Sequence, residues 1–246
     1  MLVSVVMPNY NGARFIKQAI DSVLQQTYTN FELIIVDDCS NDDSFEIAKS
    51  YEKKDNRVKV IKNKRNSGVA ITRNNGIKLC KGEYIALIDN DDFWLLNKLE
   101  EQVEIAKKGI DIVYCSYSFC DENNNKIKKP FIVPERTSFK KMLVSNVISC
   151  STCFIKSTLL KEHPFDPSYY HEDYVLWLEL LKLPIEAAGI RQVLSLYRLA
   201  QGSRSRDKRN AAKQRWRIYR EYCQMSRITS FYYFIKYALC AIIKYF

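Results

Sequence analysis

The alternation of apolar runs with helically spaced stretches predicts an α/β domain on a mostly parallel central sheet with flanking helices. Three observations carry that reading. Apolar runs of four to six residues recur through the first 90 residues, each followed by a helix-length segment, and crossovers of that length join parallel strands. The successive runs end in polar groups: Asn9, Tyr10 and Asn11, then Asp37 and Asp38, then Asp89 and Asp91. With 246 residues and 47% hydrophobic content, the chain can bury one sizeable core.

The elements follow in order. Residues 2–7 read as a strand closed by Pro8, and Phe15, Ile16, Ala19, Ile20 and Val23 mark one face of a helix over 15–24. Residues 31–36 form a second strand, followed by a helix from about 42 to 53. Residues 58–61 are a third strand, 69–80 a third helix, and 84–88 a fourth strand ending at Asp89. Farther on, 112–119 and 127–133 flank the turn-like ENNN and read as a β-hairpin, 174–181 reads as a helix, and 193–197 as a strand.

The net charge of +10 is uneven. Residues 1–203 hold 27 Lys and Arg against 26 Asp and Glu, whereas 204–246 hold 11 against 2. In that tail, residues 207–225 read as a helix with Asp207 as N-cap and a basic face of Lys208, Arg209, Lys213, Arg217 and Arg220. Residues 231–246 are apolar and aromatic, interrupted by Lys236 and Lys244, and fall short of the about 20 residues that span a bilayer. They fit an interfacial helix beside anionic lipid, or a helix packed on the domain with its basic face solvated. No zinc-finger, helix-turn-helix or RNA-binding signature accompanies the charge, so nucleic acid is not an expected partner.

The start lacks a secretory pattern, which places the expected protein in the cytoplasm. Eight cysteines are scattered, mostly within apolar runs, as expected of reduced thiols. Cys150 and Cys153 have CxxC spacing without a second pair, so a strand with both thiols packed is expected rather than a zinc site.

The stretch LIDNDDFW sets Asp89, Asp91 and Asp92 where a buried strand stops. In open α/β sheets the ligand lies at the carboxyl ends of the strands, so the three polar strand ends should share one crevice. Neither a Gly-x-Gly-x-x-Gly turn nor a phosphate-binding P-loop occurs. A carboxylate pair facing a diphosphate needs a divalent cation between them, and aspartate oxygens suit Mg²⁺ or Mn²⁺. The acids therefore read as a metal clamp for a nucleotide diphosphate.

Three segments, SVVMPNYNGARFIKQAIDSVLQQTYTNFELIIVDDCSNDDS, NSGVAITRNNGIKLCKGEYIALIDNDDFW and HEDYVLWLELL, resemble in order the motifs of family 2 glycosyltransferases, which are inverting, nucleotide-sugar-dependent enzymes of the GT-A fold. The resemblance covers about residues 2–206 and is similar in style to bacterial O-antigen and capsule enzymes. It implies a GT-A domain over 1–206, followed by 207–246 as basic, aromatic-rich C-terminal helices for which the composition leaves membrane association as one of the two readings above. It implies further that Pro8 and Tyr10 wall the nucleobase, that Asp38 bonds the uracil edge, and that Arg73 lies near base and diphosphate. Asp89 and Asp91 become the DXD pair, with Asp91 the main metal ligand and Asp92 a supporting or alternative acid. Ser203, Arg204, Ser205 and Arg206 become phosphate contacts in a closing loop, or merely a solvated basic loop. Gln201 and Gly202 stand where a histidine is common, which leaves a third metal ligand unassigned.

Glu172 and Asp173 stand at a helix start, where the dipole favours their ionised forms. In an inverting transfer one of them deprotonates the acceptor hydroxyl; Asp173 is assigned as base and Glu172 as its helper, the reverse being the alternative. Trp94 either stacks on a sugar or anchors its loop, and Tyr170 and His171 are expected acceptor contacts. The expected reaction moves a hexose or N-acetylhexosamine from a UDP-sugar to a lipid-linked glycan at the inner face of the bacterial cytoplasmic membrane. The rivals are a nucleotidyltransferase, which would carry a Gly-rich basic loop after the first strand, and a catalytically silent sugar-nucleotide-binding scaffold. A homodimer through the tail aromatics is the alternative to lipid contact.

Overall fold

A computed structural model describes residues 1–199 and 207–245. The elements of the amino-terminal half are β1 (Val3–Asn9), α1 (Ile16–Leu24), β2 (Phe31–Asp37), α2 (Ser44–Glu52), β3 (Val58–Lys62), α3 (Val69–Ile77), β4 (Tyr84–Leu87), β5 (Phe93–Trp94) and α4 (Lys98–Ala106). The remainder comprises β6 (Ile112–Cys120), α5 (Phe139–Val144), a 3₁₀ turn (Cys150–Thr152), β7 (Phe154–Lys156), α6 (Ser157–Glu162), α7 (Glu172–Leu180), β8 (Ala187–Arg198), α8 (Lys208–Arg217), a π turn (Ile218–Tyr222) and α9 (Arg227–Tyr245).

Among the described residues the strands form one sheet in the order β3-β2-β1-β4-β7-β6-β8-β5. β1 to β4 are parallel, as the alternation predicts. The chain moves outward from β1 to β3, and α3 then carries it back across β1 to β4. That reversal makes a switch point between the ends of β1 and β4, the place where open sheets bind ligands. Period-two alternation divides β1 between two cores. Val3, Val5 and Met7 join the core containing Ile16, Ile20 and Leu99 on one face, whereas Val6 joins Ala70, Ile77 and Trp177 on the other.

Pro8 sits inside central strand β1, where it has no amide to donate. Val6 faces β4, its carbonyl accepting from the Ile88 amide, and Pro8 two residues on faces the same way. Pairing with β4 has ended at Val6 and Leu87, so no ladder bond is lost.

The second half departs from simple alternation. β7 runs antiparallel between β4 and β6, and β8 pairs parallel with β6. The expected hairpin is half realised: β6 forms, but its return arm makes only single bridges, Tyr117 with Phe131 and Cys120 with Lys126. Pro130 lies between those bridges and cannot donate to a ladder. Cys150 and Cys153 bracket the 3₁₀ turn instead of lying in a strand; both are buried and unbridged. α7 begins at Glu172, two residues earlier than the sequence suggests, which brings the acidic pair into its first turn. Asp207 caps α8 as expected, its side chain accepting from the Asn210 amide at 2.9 Å. α8 and α9 are separate helices, and Ile218 and Tyr219 between them enter the main core.

α4 buries Lys98 completely, its ammonium 2.7 Å from the Gln102 Oε1 and 3.8 Å from the centre of the Trp94 ring. Burial pulls its pKa from 10.5 to about 8. The unfolded chain therefore binds the extra proton between those values, and this group's penalty on stability is relieved as pH rises through them. We expect the stability advantage of Lys98→Met over wild type to shrink between pH 8 and 10 in urea titrations; a pH-independent difference would contradict this.

Candidate active site

The switch point gathers the polar strand ends through buried amides. At the end of β1, Asn9 Nδ2 donates to Asp37 Oδ1 at 2.7 Å and Ser44 Oγ at 2.8 Å, while its Oδ1 accepts from Asn90 at 2.7 Å. One side chain thus ties β1 to β2 and to the acidic loop. Asp37 is fully buried and occupied by these bonds. Tyr10, the next residue, is exposed at the mouth, with Pro8 buried behind it.

Asp38 shapes the loop before α3. Its Oδ1 accepts from Asn63 Nδ2 at 2.8 Å and the Ser67 amide at 2.9 Å, and its Oδ2 accepts from the Gly68 amide at 2.8 Å. Gly68 has φ 84°, a left-handed conformation that suits glycine. Those bonds start α3 and set the direction of Arg73 within it.

Arg73 is the junction of the site. Its Nη2 donates to Asp89 Oδ1 at 2.6 Å and its Nη1 to Glu172 Oε1 at 2.8 Å. Both Arg73 and Glu172 are buried, and the Phe165 ring covers the guanidinium at 5.4 Å. A charge so enclosed is tolerable only with ionic partners of good geometry. The end of β4 and the start of α7 are therefore joined by one side chain.

The three acids of LIDNDDFW have different surroundings. Asp89 is answered by Arg73, and its amide donates to Ser151 Oγ at 3.0 Å. Asp92 is buried and accepts the Arg198 amide at 2.8 Å. Burial and then the charges of Asp91 and Asp89 push its carboxyl well up. Asp91 has no ion pair among the described residues, and burial followed by repulsion from Asp89 raises its pKa to about 6. Among the described residues no three His, Cys, Asp or Glu side chains already form a metal cage. Two neighbouring carboxylates, one lacking a cation, nevertheless suit a hard divalent ion whose shell a diphosphate and water complete.

Trp94 requires a correction. Its ring is buried under Lys98, and its indole N–H donates to the Ser151 carbonyl at 2.8 Å, so it anchors the loop and is not offered to a sugar. Glu172 and Asp173 lie in the first turn of α7, where Asp173 Oδ1 accepts the Tyr174 amide at 2.7 Å. Tyr170 and His171 pack edge to face immediately before them. A cavity of about 440 Å³ opens beside Glu172, lined by Ser67, Gly68, Tyr169, Tyr170, Gln214 and Arg217 among others. Ser203, Arg204, Ser205 and Arg206 lie outside the described residues.

Arg198 is a site residue that the sequence pattern did not single out. Its Nε donates to the Asp91 carbonyl at 2.8 Å, Nη1 to the Asp121 carbonyl at 3.0 Å and Nη2 to Gln18 Oε1 at 2.8 Å. Phe15 stacks on it at 4.3 Å. The available signal was an arginine directly closing the apolar run VLSLY.

The site thus sets an acidic loop at the switch point of a mixed sheet, facing an acidic helix start, and the comparisons identify the class as a glycosyltransferase of GT-A architecture. Residues 4–163 match glycosyl transferase family 2, and the chain belongs to that family. It is 37% identical over 99% of its length, and 95% of the relative's, to the Escherichia coli UDP-Glc:alpha-D-GlcNAc-diphosphoundecaprenol beta-1,3-glucosyltransferase WfgD. Residues 1–349 of S. aureus TarS, solved with UDP-GlcNAc, share the fold at TM-score 0.75 and 19% identity, over 97% of this chain and 72% of that one. The mannosyltransferase PcManGT from Pyrobaculum calidifontis, solved with GDP-Man and Mn²⁺, aligns at TM-score 0.65 and 17% identity, over 87% of this chain and 60% of that one.

We expect Arg198→Lys to lower stability by about 2–4 kcal/mol, because a single ammonium cannot replace a three-way planar donor, each charged hydrogen bond contributing about 1.5–3 kcal/mol. An unchanged urea midpoint would show that the loop holds its shape without Arg198.

Proposed function

We propose that the protein is an inverting transferase that moves a hexose or N-acetylhexosamine from a UDP-sugar to a lipid-linked glycan, working at the cytoplasmic face of a bacterial membrane. The observation that carries this reading is the Arg73 bridge, which sets the acids of the donor loop and the acids at the start of α7 on opposite sides of one guanidinium. The 37% identical relative, whose name specifies a UDP-glucose donor and a diphosphoundecaprenol-linked acceptor, supports the substrate class.

In this reading Tyr10 and Pro8 flank the nucleobase, Asp38 meets the uracil edge, and Asp89 and Asp91 are the ligands of Mn²⁺ or Mg²⁺. Arg73 positions Asp89. A bound divalent cation supplies charge compensation for the diphosphate. Glu172 is held by Arg73 as a positioned helper, and Asp173 beside it in the first turn of α7 is assigned as the base. Asp173 takes the proton of the acceptor hydroxyl while that oxygen attacks the anomeric carbon and UDP departs with the electron pair of the broken bond. Attack from the face opposite UDP inverts the anomeric centre, so an α-linked donor gives a β-linkage. Tyr170 and His171 stand before Asp173 as acceptor contacts, and Ser203, Arg204, Ser205 and Arg206 are proposed to close over the donor phosphates.

Calorimetry with UDP, and GDP as control, tests the donor site in wild type and Asp91→Ala with and without Mn²⁺. The expected result is UDP-selective binding whose metal-dependent part is lost in Asp91→Ala; equal GDP binding would overturn the donor class. Asp173→Asn should keep UDP affinity and lose about 100-fold or more in transfer rate. Full turnover in that variant would remove Asp173 as base, and no turnover in wild type with any UDP-sugar would favour the scaffold.

A further inference from the structure

The outer face of α9 is unusually apolar. Ile228, Phe231, Tyr232, Ile235 and Leu239 recur at spacings of three and four, placing them on one stripe of the helix. All five are exposed, Ile228 at 84%, Phe231 at 60% and Leu239 at 57%. The opposite face already has its partners: Ser230 is fully buried, Phe234 packs on Trp216, and Tyr233 on Tyr219. The stripe is thus surplus to folding, and a contiguous exposed apolar strip of this kind marks an interaction surface. No helix among the described residues is long and apolar enough to cross a membrane.

Charge identifies the occupant. Alongside the stripe, a cavity of about 450 Å³ is lined by Lys140 and Lys141 of α5 and Lys236 of α9, together with Thr137, Tyr232 and Tyr233. Among the described residues no carboxylate lines it. A second copy of the chain would bring the same lysines against these, which like-charge repulsion opposes. An anionic lipid headgroup supplies phosphate to the three ammonium groups while its acyl region receives the stripe, so one surface satisfies both features.

We propose that α9 docks flat on an anionic bilayer, with Ile228, Phe231, Ile235 and Leu239 entering the interface and Lys140, Lys141 and Lys236 holding lipid phosphate. The inference gives a location to the membrane reading proposed above and rests on it. It also sets an orientation. α9 packs on α5, and the α5 carbonyl of Met142 accepts the hydroxyl of Tyr174 in α7 at 3.0 Å. The acidic start of α7 is therefore one helix removed from the docked surface, where a lipid-linked acceptor would arrive.

The test is co-sedimentation of the full chain with phosphatidylcholine vesicles, with and without phosphatidylglycerol, at low and high salt. Wild type should sediment with the anionic vesicles, and high salt should release part of it. Phe231→Ser/Ile235→Ser/Leu239→Ser should lower partitioning about tenfold or more, and Lys140→Gln/Lys141→Gln/Lys236→Gln should abolish the preference for phosphatidylglycerol. All these side chains are exposed, and UDP binding measured in parallel should be unchanged, which separates failure of the docking surface from failure of the donor site. Wild type remaining in the supernatant, or both variants partitioning like wild type, would overturn the proposal. So would a wild-type dimer in gel filtration that the serine variant converts to monomer.

Discussion

Everything in the site depends on the buried guanidinium of Arg73 and the two carboxylates it must satisfy. Removing one partner of such a group leaves a charge stranded away from water, at a cost of about 3–5 kcal/mol. That penalty is avoided when the end of β4 and the start of α7 both reach the same side chain on α3. Neighbouring contacts maintain that meeting. Asn74, next along α3, bonds both the carbonyl and the amide of Phe165, at 2.8 and 2.9 Å, which fixes the approach to α7. Gly76, one turn on, permits the close fit of α3 against β1, since a Cβ there would lie 2.6 Å from Val6 Cγ1.

Arg198 acts on the other side of the acidic loop. Arg73 neutralises Asp89, while Arg198 holds the Asp91 carbonyl and the Asp92 carboxylate by its side chain and amide. Between the two arginines the Asp91 carboxylate is left with no ionic partner among the described residues, and its raised pKa follows from that. Arg73 and Arg198 hold the loop from its two sides, and Asp91 lies half-buried between them. Such an arrangement fits a site that is completed by a cation and a diphosphate.

The parallel half of the sheet was readable because its strands and crossover helices are neighbours in sequence and both follow simple periods. β7 and β8 were harder: β7 is only three residues long, and β8 pairs with β6 across 75 to 78 positions, from Ile112 with Ala187 to Cys120 with Arg198, so neither carries a local signal of its partner. The acids of LIDNDDFW and the Glu172–Asp173 pair were legible as clusters, but their different surroundings were not. The partner that holds Glu172 is Arg73, which lies 99 positions away in the chain. Trp94 could not be decided from the sequence for a related reason. An aromatic beside acids fits a sugar platform, yet Lys98 and Ser151 draw its ring inward, and neither contact is visible from spacing.

The most direct measurement is a double-mutant cycle of Arg73→Met and Glu172→Gln, read as unfolding free energy in urea. If Arg73 joins the two acidic motifs, each single variant strands its partner, and the double variant should be less damaged than the sum of the two by about 1–3 kcal/mol. Additivity within about 0.5 kcal/mol would mean that the motifs are held together by the surrounding packing, and that Arg73 is not the joint of the site.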